Sequence, residues 1–371
     1  MADKPIPYQH IPFIKGLDLS QRFYEEAVGP LLARHFPRLP YAAARIDWGS
    51  DVLGFDTPTS RDHDWGPRLT LFLAPDDLEL FDPQLRHLFA TELPLEIAGY
   101  STNFAQHEDG TGHMVATDRH PIDPNINYET IPNYFNWYLR YDVSKPPTLA
   151  QWLTFSQQHL RTIRRGRIFH DDLGLEGIRR SLDYYPHDIW LYLMANQWRR
   201  LDQEEPFVGR CGHVGDEIGS ALVAARQIDN IMRLGFLIAR EYAPYYKWFG
   251  TAFAKLPFAN RFIPPFEAVF AAREWTERQT ALVEAYELMA QRHNEQAITD
   301  PVTASRAYFH ERPYLVIHAG AFADALREAI KDESVLALPP YLGSIDQYVD
   351  STDILSHAAQ FASFQSLYTQ A

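Results

Sequence analysis

Hydrophobic and polar positions repeat with two different periods along this chain. Up to about residue 145, short runs with the two-residue period of a strand are mixed with helical stretches; beyond it, the period of amphipathic helices takes over. In the first part, Phe23, Ala27, Leu31 and Leu32 fall on one face of a helix within LSQRFYEEAVGPLLARHF. YAAARIDWGS reads as a strand ending in Gly49-Ser50. RLTLFLAP reads as a second strand, with Leu69, Leu71 and Leu73 on one face and Thr70 and Phe72 on the other. DPQLRHLFATEL predicts a short helix, LEIAGYSTNF a third strand, and INYETI a fourth before the helix PNYFNWYLRYD.

The second part holds four long amphipathic segments: DIWLYLMANQWRRLDQEE, GDEIGSALVAARQIDNIMRLGFLIAREY, PFEAVFAAREWTERQTALVEAYELMAQRHNEQ and SRAYFHERPYLVIHAGAFADALREAIKD. Together they predict a helical bundle, with no fixed repeat or heptad series. The boundary falls in DVSKPPTLAQ, because Lys145-Pro146-Pro147 cannot continue a helix, whereas Thr148 and Gln151 have the spacing of a capping box that opens the next one. The expected organisation is one domain over 1–145 and a helical domain over 146–371.

Composition narrows the chemistry. The 371 residues carry 34 Lys+Arg against 48 Asp+Glu, a net charge of -14, which repels duplex nucleic acid but admits a small phosphorylated ligand accompanied by a divalent metal. Cys211 is the single cysteine, so neither an intrachain disulfide nor a multi-cysteine zinc site can form. The N-terminal MADKPIPYQHIPFIKG is broken by prolines and reads as an extended arm rather than a secretory signal. The apolar run LGFLIA from Leu234 lies between Arg233 and Arg240, far short of the roughly 20 residues a membrane span requires. A soluble, cytoplasmic protein with no membrane partner is expected. Aromatic residues make up 14% of the chain, a share that suits well-filled cores first and stacking surfaces second.

Chemistry concentrates in WGSDVLGFDTPTSRDHDW, residues 48–65. A strand ending in Gly49-Ser50 can turn backbone N–H groups and a hydroxyl toward a phosphate, since glycine permits close approach. Asp62 and Asp64, one residue apart in a segment read as extended, project to one side and form a seat for Mg²⁺ or Mn²⁺. A Gly-Ser turn is common and an Asp-rich loop is usually solvated. The combination on neighbouring strands, followed by a helical domain, favours a nucleotide site for phosphoryl or nucleotidyl transfer. A third carboxylate normally completes such a site, with Glu129 the first candidate and Glu96 the second.

The apolar residue, Gly, Ser, spacer and Asp-x-Asp resemble the signature of the nucleotidyltransferase fold shared by DNA polymerase β and kanamycin nucleotidyltransferase, and the helical part resembles the two-domain arrangement of the latter. DWGSDVLGFDTPTSRDHDWGPRL, AGYSTNF, YYPHDIW, REYAPYYKWFGTAF and RPYLVIHAG are similar to an uncharacterised bacterial family of nucleotidyltransferase-like proteins carrying a domain of unknown function. The resemblance implies an α+β chain: a nucleotidyltransferase-type mixed sheet with helices, then an all-α bundle. It implies that Gly49 and Ser50 contact nucleotide phosphates, that Asp62 and Asp64 hold the metals, and that a later acid completes the set. The implied activity moves a nucleoside monophosphate from a nucleoside triphosphate to a hydroxyl of an unidentified acceptor, releasing pyrophosphate. The alternative is a non-catalytic nucleotide-binding or antitoxin-like regulatory protein. Trp65-Gly66-Pro67 stands where the superfamily continues an apolar strand, so a bulge or strand edge is expected there.

Other clusters have plainer readings. Tyr245, Tyr246, Lys247, Trp248 and Lys255 offer rings and cations to a base or triphosphate in a cleft between the domains, with Lys247 the chosen contact; aromatic packing around Pro244 is the alternative. Arg161, Arg164, Arg165 and Arg167 read as a helix C-terminus complementing its dipole. Gly209, Gly212, Gly215 and Gly219 lack the Lys-Ser/Thr of a phosphate loop. His107, His113 and His120 fit no zinc spacing and read as a polar hairpin. No Gly-x-Ser-x-Gly elbow is present, and Cys211 has no partner legible in the sequence, so hydrolase readings lack an anchor.

Overall fold

The computed structural model describes residues 8, 10–108 and 110–369, so half of the predicted extended arm lies outside the described residues. The fold is α+β, with a small mixed sheet toward the N-terminus and helices dominating the rest. Its strands are β1 (Ala42–Arg45), β2 (Arg68–Phe72), β3 (Glu96–Ile97), β4 (Tyr100–Ser101), β5 (Phe104–Gln106), β6 (Gly112–Met114), β7 (Asn125–Glu129), β8 (Arg167–Asp171), β9 (Ala307–Tyr308) and β10 (Leu315–Val316). The last two pair as an antiparallel hairpin, so the expected all-α part is not wholly helical: the fourth predicted segment, broken at Pro313, is helical only from Gly320. Four of the strands form one sheet in the order β7-β2-β1-β8; β1 runs antiparallel to β2 and β8, and β2 runs parallel to β7. The third predicted strand is divided into β3, β4 and the start of the β5–β6 hairpin.

Two compact units emerge: residues 1–146 with 159–183, and residues 147–158 with 184–371. Residues 159–183 therefore return to the first unit, although their sequence reads as part of the helical region. The reason is local. The helix Gln157–Arg165 stops at Gly166, where a Cβ would lie 2.5 Å from the Arg45 carbonyl oxygen, so glycine lets β8 close against β1.

Every residue of β1 and β2 is buried because both faces of the sheet are covered. Leu69, Leu71 and Leu73 share a core with Leu19 and Phe23 of the helix Gly16–Phe23 and with Leu85 and Phe89 of the helix Pro75–Glu92. On the opposite face Phe72 meets Tyr134 of the helix Ile131–Leu139 edge-on, with ring centroids 5.4 Å apart. The helix predicted from Asp82 starts earlier, at Pro75, a residue preorganised for the first helical position and followed by Asp76 and Asp77 in the first turn. Between Gly16–Phe23 and Gly29–His35 the chain makes a π turn over Tyr24–Val28, directly before Pro30, which has no N–H to continue the regular ladder.

In the second unit, Thr148 and Gln151 make the expected capping box at the helix Leu149–Thr154. The helix His187–Glu204 is buried nearly all round and packs against Glu217–Ile238 and Gly320–Ala329. Trp275–Asn294 packs on Glu217–Ile238 and on Ile263–Ala271, so the third predicted segment is two helices, interrupted at Ala272–Glu274. Buried polar groups pair internally: Gln347 donates to Gln197 (2.9 Å), Gln197 to Asn230 (3.0 Å), and Trp198 Nε1 to His293 Nδ1 (3.1 Å). Burial lowers the His293 pKa to about 4, which keeps that acceptor neutral. Glu205, also buried, accepts the backbone N–H groups of His318 and Ala319 (both 3.1 Å) before the helix Gly320–Ala329, and burial pushes its pKa up to about 8. Among the described residues no helix is long and apolar enough to cross a membrane.

Candidate functional site

β1 ends at Arg45, and the chain bends through Asp47, Trp48 and Gly49 into the short helix Ser50–Leu53. Gly49 has φ +147, and a Cβ there would stand 2.7 Å from Arg68 Nη2 and 2.8 Å from Arg45 Nη2 and would collide with the Asp51 carboxylate, so no larger residue fits. What the turn encloses is an ion cluster. Asp51, its side chain fully buried, accepts from Arg45 Nε (3.1 Å) and Arg68 Nη2 (2.9 Å). Because β1 and β2 run antiparallel, the end of one and the start of the other lie at the same edge of the sheet, and both arginines reach the same carboxylate there. Burial works against the Asp51 charge, but the two guanidinium groups outweigh it and hold its pKa below the ordinary carboxylate value. The Arg45 pKa is lowered as well, to about 10, by burial and then by repulsion from Arg68.

The rest of the 48–65 stretch is pinned separately. Asp56 accepts from the Gly16 amide (2.7 Å) and from Trp65 Nε1 (3.2 Å) and pairs with Lys15 (3.2 Å). Arg61 donates to the carbonyls of Tyr8 (2.9 Å), Ile11 (3.2 Å) and Pro58 (3.0 Å). Pro58–Asp62 forms a 3-10 helix, His63 is extended, and Asp64 takes a left-handed conformation with φ +45. The extended segment expected around Asp62 and Asp64 is thus replaced by a tight turn, and the alternation argument for their shared direction does not apply. Asp64 is instead clipped to the β5–β6 hairpin: its amide donates to the Gly112 carbonyl (2.7 Å), and its Oδ1 accepts from the Gly112 amide (2.8 Å).

A polar cavity of about 350 Å³ opens where β2 and β7 begin. Arg45, Arg68 and Arg86 bring positive charge to its wall, and Asp47, Asp64 and Asp123 bring carboxylates. Asn125 and Asn127 of β7 line it, and so does Trp48, a half-exposed indole whose ring lies 5.3 Å from that of Trp137.

Of the residues singled out in the sequence, Asp64 reaches this cavity. Gly49 and Ser50 lie behind its wall, in the turn around Asp51. Asp62 is half exposed, with its carboxylate held by the His63 amide and by His63 Nδ1 (both 3.1 Å), and it does not line the cavity. Glu129 sits at the far end of β7. The register pairs Arg68 with Asn125 and Phe72 with Glu129, so Glu129 is about 13 Å along the strand from the cavity. Its carboxylate accepts the Thr130 amide at the start of the next helix (3.0 Å). Glu96, in β3, is exposed and away from the lining. Lys247, in the second unit, is exposed, with its ammonium 5.3 Å from the Trp248 ring centre.

Residues 152–249 match a family described as a domain of unknown function, DUF4037. Among solved structures the chain is similar to a nucleotidyltransferase-like protein from Exiguobacterium sibiricum, with 11% identity over 77% of this chain and 83% of that one and a TM-score of 0.31. No curated protein matches the chain.

The remaining clusters resolve into local roles. His107 and His113 approach to 3.8 Å between ring centres across the β5–β6 hairpin, while His120 Nε2 bonds the Leu93 carbonyl (2.8 Å). Arg161 covers the Phe55 ring, Arg164 pairs with Asp183 (3.1 Å) and Arg167 with Asp18 (2.9 Å). Gly209 and Gly212 lie within the helix Phe207–His213, where Gly212 faces the Trp275 ring.

Arg45, Arg68 and Trp48 carry the cavity and were not among the candidates. Their signal in the sequence is slight: an arginine at the end of one apolar strand and at the start of the next, in AAAR and RLTLF. As for a metal, the wall offers the hard oxygen donors that Mg²⁺ prefers, from Asp64, Asp47, Asp123 and the two asparagines. Among the described residues no group of three or more His, Cys, Asp or Glu is placed to hold an ion. The donor set therefore fits an ion bound through one or two carboxylates, with water and ligand phosphate completing its shell, as is usual for Mg²⁺.

Proposed function

We propose that the cavity at the head of β2 and β7 binds a nucleoside triphosphate with Mg²⁺ or Mn²⁺ and transfers the nucleoside monophosphate to an acceptor hydroxyl, releasing pyrophosphate. One observation carries this reading: three arginines and the carboxylate of Asp64 share the wall of one polar cavity large enough for a triphosphate. Guanidinium groups suit phosphate oxygens because their planar N–H forks match phosphate geometry. Arg86, whose exposed side chain pairs with Asp82 (2.9 Å), is the contact proposed to reach the phosphates most readily, since Arg45 and Arg68 are buried around Asp51. Trp48 supplies a face on which a base can stack.

Asp64 is the proposed first metal ligand, with Asp62 its neighbour in sequence and Asp123, rather than Glu129, the acid nearest to completing the set. When bound, the ion neutralises developing charge on the phosphates and orients the acceptor oxygen. The residues themselves hold the triphosphate in line, shield its charge and keep Asp64 aimed through its two bonds to Gly112.

The test is a thermal shift with each nucleoside triphosphate and Mg²⁺, followed by assay of pyrophosphate release in cell extract as the acceptor source. Stabilisation with turnover is expected, and Asp64→Asn should lower turnover by about 100-fold or more, roughly 2.7 kcal/mol of transition-state stabilisation. Stabilisation without turnover in any extract would leave the non-catalytic nucleotide binder as the correct reading. Unchanged melting with every triphosphate would remove both.

A further inference from the structure

A second arginine cluster lies wholly within the helical unit. Arg200 of the helix His187–Glu204 and Arg226 and Arg233 of the helix Glu217–Ile238 line one cavity of about 270 Å³, with Tyr246 and the segment 346–350 on its other sides. The spacing Arg226, Asp229, Asn230, Arg233 sets all four on one helix face.

Most charges on this wall already have partners. Arg233 holds Asp229 (2.8 Å), the Tyr246 hydroxyl (3.0 Å) and the Asp346 carbonyl (2.8 Å). Arg226 pairs with Glu204 (3.2 Å), and the Asp346 carboxylate takes the Gln157 amide (3.1 Å). Asp350 is exposed. Arg200 differs: its Nε makes a long contact to Asn230 Oδ1 (3.4 Å), and among the described residues no carboxylate forms an ion pair with it. Burial, followed by repulsion from Arg226 and Arg233, lowers its pKa. A partly buried guanidinium with two cationic neighbours, whose nearby opposite charges Glu204 and Asp229 are already engaged by Arg226 and Arg233 and make no ion pair with it, is costly, and an anion seated among the three reduces that cost.

We infer that the Arg200–Arg226–Arg233 cavity is a binding site for a phosphate group, carried by inorganic phosphate, pyrophosphate or a phosphate ester. Its volume exceeds that of a phosphate, a water molecule occupying only about 30 Å³, so part of an ester substituent also fits. Arg200 and Arg226 present their N–H forks to the phosphate oxygens, while Arg233, fixed by Asp229, contributes charge. Tyr246, half exposed at the wall, lies where a substituent would emerge. This site is independent of the cavity at β2 and β7.

Arginine labelling with phenylglyoxal, read by peptide mass spectrometry, reports on the cavity through one of its own residues. The Arg226 side chain is 59% exposed and serves as reporter; Arg180, 77% exposed in the first unit, serves as reference. Inorganic phosphate, pyrophosphate and a nucleoside monophosphate are tested separately at constant ionic strength. At ten times its Kd, the bound form should slow labelling of Arg226 about tenfold while Arg180 is unaffected. The compound that protects at the lowest concentration identifies the carrier of the phosphate. Arg200→Gln, with an unchanged circular dichroism spectrum, should abolish the protection; protection that persists in it places the ligand elsewhere and overturns the inference. If that variant does not fold, the wild-type protein decides alone: absence of protection by all three compounds, or equal slowing at Arg180, overturns it.

Discussion

Four aspartates fall between residues 51 and 64, and the structure sorts them into two kinds. Asp51 and Asp56 are almost fully buried and hold the turn together, one through two arginines, the other through Trp65 and a backbone amide. Asp62 and Asp64 sit in the following turn with access to solvent or to the cavity. All four are acids in a polar loop, so residue type alone does not separate them. Partners do: a buried carboxylate held by arginines, an indole or a backbone amide is architecture, whereas one facing an open cavity is available for a ligand.

Mutation can break this division. The largest effect is expected at Asp51→Ala, which leaves Arg68 buried without its counter-charge and Arg45 with Asp47 alone, and should cost about 3–5 kcal/mol in urea unfolding. A loss under about 1 kcal/mol would mean that Asp51 is not the keystone of the turn. Asp56→Asn should cost about 1–3 kcal/mol by the same measurement, since the amide oxygen can keep the bonds from Gly16 and Trp65, both made to Oδ2, but the amide nitrogen then replaces the charged oxygen that pairs with Lys15. Asp64→Asn, which should stop nucleotide transfer, is expected to stay within about 1 kcal/mol of the parent in stability, through its one retained acceptor bond to Gly112. Asp62→Asn should change stability by about 0.5 kcal/mol or less, as for other exposed sites. If Asp64→Asn were as unstable as Asp51→Ala, the two kinds of aspartate would collapse into one.

Glu205 sharpens the comparison, because it is as deeply buried as Asp51 but faces backbone amides instead of arginines. Its folded pKa of about 8 lies above the ordinary 4.5, so the native state binds the extra proton within that interval. Stability contributed by this residue therefore falls as pH rises from 4.5 to about 8. Glu205→Gln should flatten that part of the melting profile while leaving the acid limb set by Asp51 in place. An unchanged slope would show that another group titrates there.

Much of the architecture is legible in the chain. The alternation of Leu69, Leu71 and Leu73 marks the inner face of β2, and Thr148 with Gln151 marks a real helix start. The fates of residues 58–64 and 159–171 are less visible because tertiary contacts decide them: Pro58 starts a 3-10 turn, Gly112 captures Asp64 from a distant hairpin, and Gly166 admits β8 against β1. The cavity itself depends on register. Arg68 and Asn125 meet through strand pairing, with Arg45 at the same edge, and the same pairing carries Glu129 to the other end of β7. A chain position cannot announce which end of a strand a ligand will choose.

The Arg45–Asp51–Arg68 cluster also bears on how binding should be studied. With Asp51 ionised below the usual carboxylate range and Arg45 protonated up to about 10, this part of the wall is silent to titration throughout neutral pH. Any bell or step in a binding curve measured across neutral pH therefore traces the protons of the ligand or of other groups, never those of this cluster.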